Sequence, residues 1–511
     1  PPALPLTMES GSLSGTLIGA ADLAVLLGLL ALMVGMGFFF RRGQGTAEDF
    51  FLGGRRLPIW AACLSFVATE VSAVTVISVP ATACNENWQY LQFFIGSTAA
   101  RLVIAFLFIP AFYKFNCTTI YQFLGARFGR VTQTAASFFF FLTRLLGSGV
   151  RLMAACLALS VLLNTPILPV IAVFVLVGVA YMSLGGMKAV VWTNVIQAMV
   201  FIGGGLATLA FLGHTVAGGW PAIWSQAGAA GHTAILEWGP ARGTPHFWRA
   251  FFANPNIFWI AVLNGFFGSL AAFGTDQDLM QRLLTLETRK DSQKTMVGTI
   301  GVSLGVLTIY LTIGTGLYVY FRQPGSVSFP ANPDAVFPHF IGHVMPSVLK
   351  GWLLSAIVLA GIDSPLASLA TSFVTDLYRP YVEARGHRPT DREILRWSRW
   401  GVAVFGLVLA ALAYGFSFYK NILWLAFKIG GVTFGSLLGV FLLGLLTRRR
   451  SDRWNAVAMI ASALLNLVLL VLSEKKILPM GWSWLVVLGT ATTFGLASLL
   501  SRPGAREGAA A

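Results

Sequence analysis

Charge is what this chain has least of. Asp, Glu, Lys and Arg make up 11% of its 511 residues and hydrophobic residues 56%, whereas soluble domains carry roughly 25% charged residues. With a mean hydropathy of +0.74, that shortage excludes an ordinary soluble domain and points to a chain crossing a lipid bilayer many times. Cysteine is scarce as well. Cys63, Cys84, Cys117 and Cys156 lie in or beside apolar runs without metal-like spacing, so no disulfide framework is implied. None of the six histidines (His214, His232, His246, His339, His343, His387) falls in the core of an apolar run. A GxSxG elbow and a phosphate loop are also missing, which leaves a membrane-embedded enzyme without recognisable chemistry. The net charge of +15 could suggest nucleic acid. The basic residues, however, come in short clusters between apolar runs, as membrane topology requires, so no nucleic-acid partner is expected.

Long apolar runs are what the chain has in quantity. About 20 apolar residues cross the hydrocarbon layer as a helix. Thirteen such runs are present, at 17–40, 57–83, 91–115, 133–163, 166–185, 188–213, 254–274, 295–321, 348–376, 397–417, 421–446, 454–473 and 481–501. The expected fold class is therefore an all-α polytopic membrane protein. Lys and Arg gather in the loops after odd-numbered runs and in the C-terminal tail. That bias puts the N-terminus outside and the C-terminus in the cytoplasm of an inner (plasma) membrane. Pro1 to Thr7, ahead of Met8, reads as a remnant before the native start. Two long outer loops, 214–253 and 322–347, are rich in Gly, Pro and aromatics; they read as short helices, as lids, or as plain connectors.

The second run contains Leu64-Ser-Phe-Val-Ala-Thr-Glu-Val-Ser-Ala-Val-Thr-Val-Ile77. Glu70 sits near its middle, among Ser65, Thr69, Ser72 and Thr75. A carboxylate at membrane depth is costly and faces a cavity, a partner or an ion path. Small and hydroxyl residues also pack helices together, so a hydrogen-bonded carboxyl joining two helices and a cation or solute site at a helix break are both open readings.

Runs two to six and seven to eleven make two sets of five, 57–213 and 254–446, flanked by 8–56, the loop 214–253 and the segment 447–511. Five is odd, so the second set enters from the opposite face, as in transporters built from inverted repeats with sites at interrupted helices. In set two, Asn264-Gly-Phe-Phe-Gly268-Ser269 is the small-residue stretch at matching depth.

Six strings then carry a resemblance: Asp49-Phe-Phe-Leu-Gly-Gly-Arg-Arg-Leu57, Ser72-Ala-Val-Thr-Val-Ile-Ser-Val-Pro80, Thr118-Thr-Ile-Tyr-Gln-Phe-Leu-Gly-Ala-Arg-Phe-Gly129, Gly185-Gly-Met-Lys-Ala-Val-Val-Trp-Thr-Asn-Val-Ile-Gln197, Gly274-Thr-Asp-Gln-Asp-Leu-Met-Gln-Arg282, and Ile362-Asp-Ser-Pro-Leu-Ala-Ser-Leu-Ala370 leading to Thr375-Asp-Leu-Tyr378. In this order they resemble the sodium:solute symporter family, which includes sodium–sugar, proline, iodide and sialic acid transporters. The resemblance covers about 45–450. It implies a LeuT-like fold of two inverted five-helix repeats and cation-coupled uptake of a small polar or anionic solute.

The resemblance also implies sites. Sodium, a hard cation, wants oxygen ligands, and the family's carbonyls map to Ala68 and Val71. Its two hydroxyl positions in the eighth core helix fall on Ala360 and Gly361, which have no side-chain oxygen. Where relatives carry an acid in the fifth core helix, this chain has Asn194. Glu70, Asp363 and Ser364 are then the candidate replacement ligands, because the first and eighth core helices adjoin in that fold. Two approaching carboxylates share a cation or a proton, so sodium coupling, proton coupling and uncoupled transport stay open. Thr69, Thr75 and Ser269 are candidate solute contacts beside the two breaks.

Among the charges inside runs, Arg144 and Arg151 share a helix face; Arg151 could pair with Glu70 or Asp363, or receive a carboxylate on the solute. Arg101 is a weaker candidate of the same kind, and Lys428 reads as a buried or interfacial partner. Asp276, Asp278 and Arg282, and Asp376 with Arg379, read as cytoplasmic gate or anchoring pairs. A nutrient sensor with a separate signalling partner is the rival class. Neither the solute nor an oligomeric state is readable from the residues.

Overall fold

Breaker residues decide where the long apolar runs bend, and the bends position everything else. The computed structural model describes residues 18–40, 46–163, 165–241, 243–330, 335–362, 365–418 and 422–501, and among them no β-strand occurs. The chain opens with α1 (Ala20–Phe40) and the short α2 (Ala47–Leu52). The second run is split into α3 (Ile59–Glu70) and α4 (Ala73–Asn85), bent by 61°. Extended backbone at Val71 (φ −77, ψ 104) and Ser72 (φ −96, ψ 170) makes the break. The third run is α5 (Tyr90–Val103), a π-helical turn at Ile104–Phe108 and α6 (Ile109–Lys114), followed by α7 (Tyr121–Arg127) and α8 (Arg130–Leu163). Runs five and six fuse as α9 (Ile167–Thr215), which kinks at Gly186 (φ 55, ψ −155), a conformation that glycine adopts at least cost.

The first outer loop holds α10 (Gly219–Ala229) and α11 (Phe247–Ala253). The second set begins with α12 (Phe258–Gly274) and α13 (Gln277–Leu284), then α14 (Arg289–Tyr320), and α15 (Val336–Val344) lies in the second outer loop. Both outer loops thus contain short helices. The ninth run is α16 (Leu349–Ile362), α17 (Leu366–Ser372), a π-helical turn at Phe373–Tyr378 and α18 (Arg379–Glu383). The chain continues as α19 (Asp391–Phe416), α20 (Ile422–Leu446), α21 (Arg453–Glu474) and α22 (Trp484–Leu500). Among the described residues eight helices are long and apolar enough to span, the α3–α4 pair makes a ninth span, and four shorter apolar helices fill the places of the other expected runs.

Both π-helical turns stop two residues before a proline, Pro110 and Pro380. Proline has no N–H to give and its ring crowds the carbonyl four residues back. A wider turn relieves that conflict.

Packing exchanges between the two sets as a two-fold relation requires. α5 packs on α12 while α14 packs on α3 and α4; α8 packs on α19 and α20 while α16 packs on α9. Lipid gives helices no hydrophobic reason to associate, so close backbone approach at small residues matters. A Cβ on Gly96 would lie 2.0 Å from the Val262 carbonyl oxygen, and one on Gly265 2.1 Å from that of Phe93. At the exchanged contact, a Cβ on Gly314 would lie 2.3 Å from the Pro80 carbonyl oxygen. The extra helix α1 is fastened to the second set by Asp22. Its Oδ1 accepts the Val348 and Gly351 amides at 2.9 and 3.1 Å, capping the start of α16.

Candidate functional site

The break between α3 and α4 gathers most of the predicted polar residues. The last turn of a helix has no intrahelical donors for its carbonyls, and both Ala68 and Val71 belong to that turn or its cap. Thr69 is buried, donates its hydroxyl to the Ser65 carbonyl at 2.9 Å and accepts the Asn194 amide at 3.1 Å. Asn194, on α9, also donates to the Ser65 hydroxyl at 3.2 Å. Arg151, on α8, reaches the Thr69 carbonyl at 3.4 Å. Thr75 is half-buried in the first turn of α4. Ala68, Thr69, Val71, Asn194 and Arg151 therefore meet at one place.

Glu70 turns elsewhere. Its Oε1 forms an ion pair with Arg101 of α5, and its Oε2 accepts the Ser303 hydroxyl of α14 at 2.7 Å. Arg101 is fully buried; it also donates to the Thr299 hydroxyl at 2.7 Å and lies 4.7 Å from the Phe273 ring centroid. Of the readings open for Arg151, the pairing with Glu70 is taken instead by Arg101. Arg101 was the weaker candidate in sequence because an arginine inside a run does not name a partner 31 residues away on another helix. Ser303 and Thr299 carry no sequence signal beyond hydroxyls at i, i+4.

The second expected break is also corrected. Asn264 to Ser269 is continuous helix within α12, and the first of its two glycines, Gly265, serves the close contact with α5. Ser269 is half-buried in that helix. The interruption falls instead after Gly274, where Asp276 caps α13 by accepting the Asp278 amide at 2.8 Å. An Asp ahead of a fresh helical stretch was the signal for it.

At this second break the inner-side charges converge. Arg144 of α8 pairs with Asp278 and lies 3.5 Å from Asp276, while Arg282 holds the other Asp278 oxygen at 2.9 Å. Asp276, Asp278 and Arg282 are all nearly inaccessible, and Arg144 is 9% exposed. The anticipated Asp376–Arg379 pair does not form: Arg379 pairs with Glu383 at the surface, and Asp376 faces inward to Thr119 and Gln133. The π-helical turn explains this, since widening the helix at Phe373–Tyr378 rotates Asp376 away from its i+3 neighbour. Asp363 and Ser364 lie outside the described residues, as do the surroundings of Gly361 and the side chains of Ala360 and Lys428.

Each five-helix set thus begins with an interrupted helix, the feature on which transporters of inverted-repeat architecture build their sites. A solved structure of a Na+-coupled sialic acid symporter, substrate-bound and outward-open, matches with a TM-score of 0.81 at 24% identity, covering 95% of this chain and 99% of that one. The fold is accordingly the LeuT-like inverted repeat. In sequence, the sodium/sialic acid symporter SiaT of Proteus mirabilis (strain HI4320) is 28% identical over 452 residues, 87% of this chain and 88% of that protein. The sodium-coupled monocarboxylate transporter 2 of Danio rerio is 28% identical over 435 residues, 84% of this chain and 68% of that protein. The pattern of the sodium:solute symporter family matches residues 50–462. With two broken helices at the places such a transporter needs them and that match across most of its length, the chain belongs to the sodium:solute symporter family.

Proposed function

We propose that the protein imports a small organic anion together with sodium by alternating access, from an outer face bearing the N-terminus to the cytoplasm of an inner (plasma) membrane. The observation that carries this reading is Arg151 reaching the last turn of α3 at the Val71–Ser72 break. A guanidinium presents five donors in a planar fork suited to a carboxylate, and the relatives that match carry sialic acids or monocarboxylates by name. Thr69 and Thr75 supply hydroxyls beside it. Ser269, within an unbroken helix, would contribute only as a helix-face hydroxyl.

The donor set at the break is oxygen-rich, which suits a hard monovalent cation. The Ala68 and Val71 carbonyls and the Asn194 amide oxygen would hold sodium with Asp363 and Ser364, the carboxylate compensating for Ala360 and Gly361. Glu70, with both oxygens engaged by Arg101 and Ser303, would hold the break in place rather than ligate the ion. The two five-helix sets, 57–213 and 254–446, would be the units that rock.

Uptake into proteoliposomes tests the reading. Labelled sialic acid and a short monocarboxylate should enter under an inward sodium gradient, and Arg151→Gln should raise the KM for the anion. Uptake that is equal in choline but driven by a pH gradient would replace sodium with protons, and no uptake of either anion would overturn the substrate class.

A further inference from the structure

Asp376 is 2% exposed, and among the described residues no Lys, Arg or His forms an ion pair with it. Its Oδ1 accepts the Thr119 hydroxyl at 2.6 Å and the Gln133 amide at 2.8 Å. Its Oδ2 is buried without a hydrogen-bond partner, and so are the hydroxyl oxygens of Ser137 and Ser372, which border the same carboxylate. A buried carboxylate without a compensating charge is strongly unfavourable. The Ser137 and Ser372 hydroxyls can each turn a hydrogen toward Oδ2, but neutral hydroxyls leave the buried charge uncompensated, and a cation among these oxygens would neutralise it.

The surroundings favour a cation over a simple cross-link. The π-helical turn Phe373–Tyr378 opens the backbone at Asp376, and such wide turns recur at functional sites. The oxygens come from four separate places: the loop before α7, α8, α17 and the turn itself. Other titratable groups nearby are Cys117 and Tyr121, with Asp276 and Arg144 beyond Tyr121. The Tyr121 hydroxyl donates to the Thr275 carbonyl at 3.0 Å, and the Ile120 amide donates to Gln277 at 2.9 Å. This pocket of oxygens therefore adjoins the second break, next to the buried ion pairs.

We infer that Asp376, Ser372, Ser137 and Thr119 form a second monovalent-cation site, on the cytoplasmic side of the break site, where sodium is held on its way out. The site's existence stands on its own geometry; the identity of the ion as sodium rests on the coupling proposed above. One carboxylate with hydroxyls is an oxygen-only set of low charge, which matches a monovalent ion better than calcium, whose sites recruit more carboxylates.

Equilibrium binding of labelled sodium to the purified full-length protein tests this. Asp376→Asn should bind one sodium fewer per chain, while Asn194→Ala should affect the remaining class. Ser137→Ala and Ser372→Ala, milder changes that keep the fold if Asp376→Asn does not, should each weaken one sodium-binding class by about tenfold, the size of one bond to a charged group. Sodium stoichiometry and affinity unchanged in folded Asp376→Asn, or in both serine variants, would overturn the site while leaving the transport reading intact. Wild-type protein that binds no sodium at all would overturn both. Loss of a bound proton in Asp376→Asn, with sodium binding unaltered, would also overturn it by showing that the carboxyl is simply protonated.

Discussion

Arg101 closes on Glu70 at the end of α3, and the same carboxylate accepts the Ser303 hydroxyl of α14. One side chain so fastens the first helix of the first set to the second helix of each set. The cation is fully buried and the carboxylate side chain is 20% exposed, so the pair is held in a low-dielectric environment where removing one partner is worse than removing both.

Glu70→Gln and Arg101→Met should each destabilise the detergent-solubilised protein by about 3–5 kcal/mol, the cost of leaving a buried charge uncompensated. The double variant should regain more than half of that loss in thermal unfolding. Strictly additive losses would mean that the two residues do not act as a pair. Ser269→Ala, by contrast, should leave unfolding nearly unchanged.

The glycines make a sharper contrast. Gly265→Ala would drive a methyl group into the Phe93 backbone, whereas a Cβ on Gly301 of α14 meets nothing within 4 Å. Gly301→Ala should therefore be neutral or raise stability by up to about 1 kcal/mol, the helix preference of alanine. Gly265→Ala should force α5 from α12 and sharply reduce the yield of folded protein on size-exclusion chromatography. Similar behaviour of the two would argue against close packing at that crossing.

These contacts mark what the sequence could and could not disclose. The spans were legible because length and apolarity alone define them, and the first break because Glu70 and its hydroxyl neighbours are poor lipid-facing residues. The second break was misplaced because glycine serves both to interrupt a helix and to let two helices touch; at Gly265 it does the latter. Asp376 and Arg379 have helix-pair spacing, but Pro380 widens the intervening turn and sends them apart. Arg101 could not be matched to Glu70 because that pairing exists only once α3 and α5 both pack against α14.

His232 gives an expectation for pH. It sits in the first outer loop, its ring tilted against that of Tyr318 with centroids 3.6 Å apart and its Nδ1 bonded to the Ala83 carbonyl. Burial, and then the nearby Arg322 charge, lower its pKa, with the Ala83 bond opposing them. The neutral ring is thus the form that fits. A depressed folded pKa contributes stability that is present above the unfolded value of about 6.5 and is lost as pH falls through the folded one. Limited proteolysis of the 214–253 loop should accelerate on moving from neutral pH to below that value, and His232→Gln should flatten the change. A loop equally resistant at both would show that the ring's charge is immaterial.

The buried cluster at the second break should act as the inner gate. Asp278 takes Arg144 from α8 on one oxygen and Arg282 from α13 on the other, so it is the anion that keeps two cations together. Asp278→Asn would remove the anion that both Arg144 and Arg282 share, leaving a neutral amide between them, with Asp276 still 3.5 Å from Arg144. Repulsion then favours separating α8 from α13, which under the proposed alternating access would be the motion that opens the pathway inward. In a background without the native cysteines, Thr275→Cys is a fully buried reporter between α12 and α13. Its alkylation by a membrane-impermeant maleimide from the cytoplasmic face should rise several-fold when Asp278→Asn is added, and uptake should fall. A role confined to stability would lower the unfolding temperature while leaving the labelling rate of the folded protein unchanged, and that result would remove the cluster from the transport cycle.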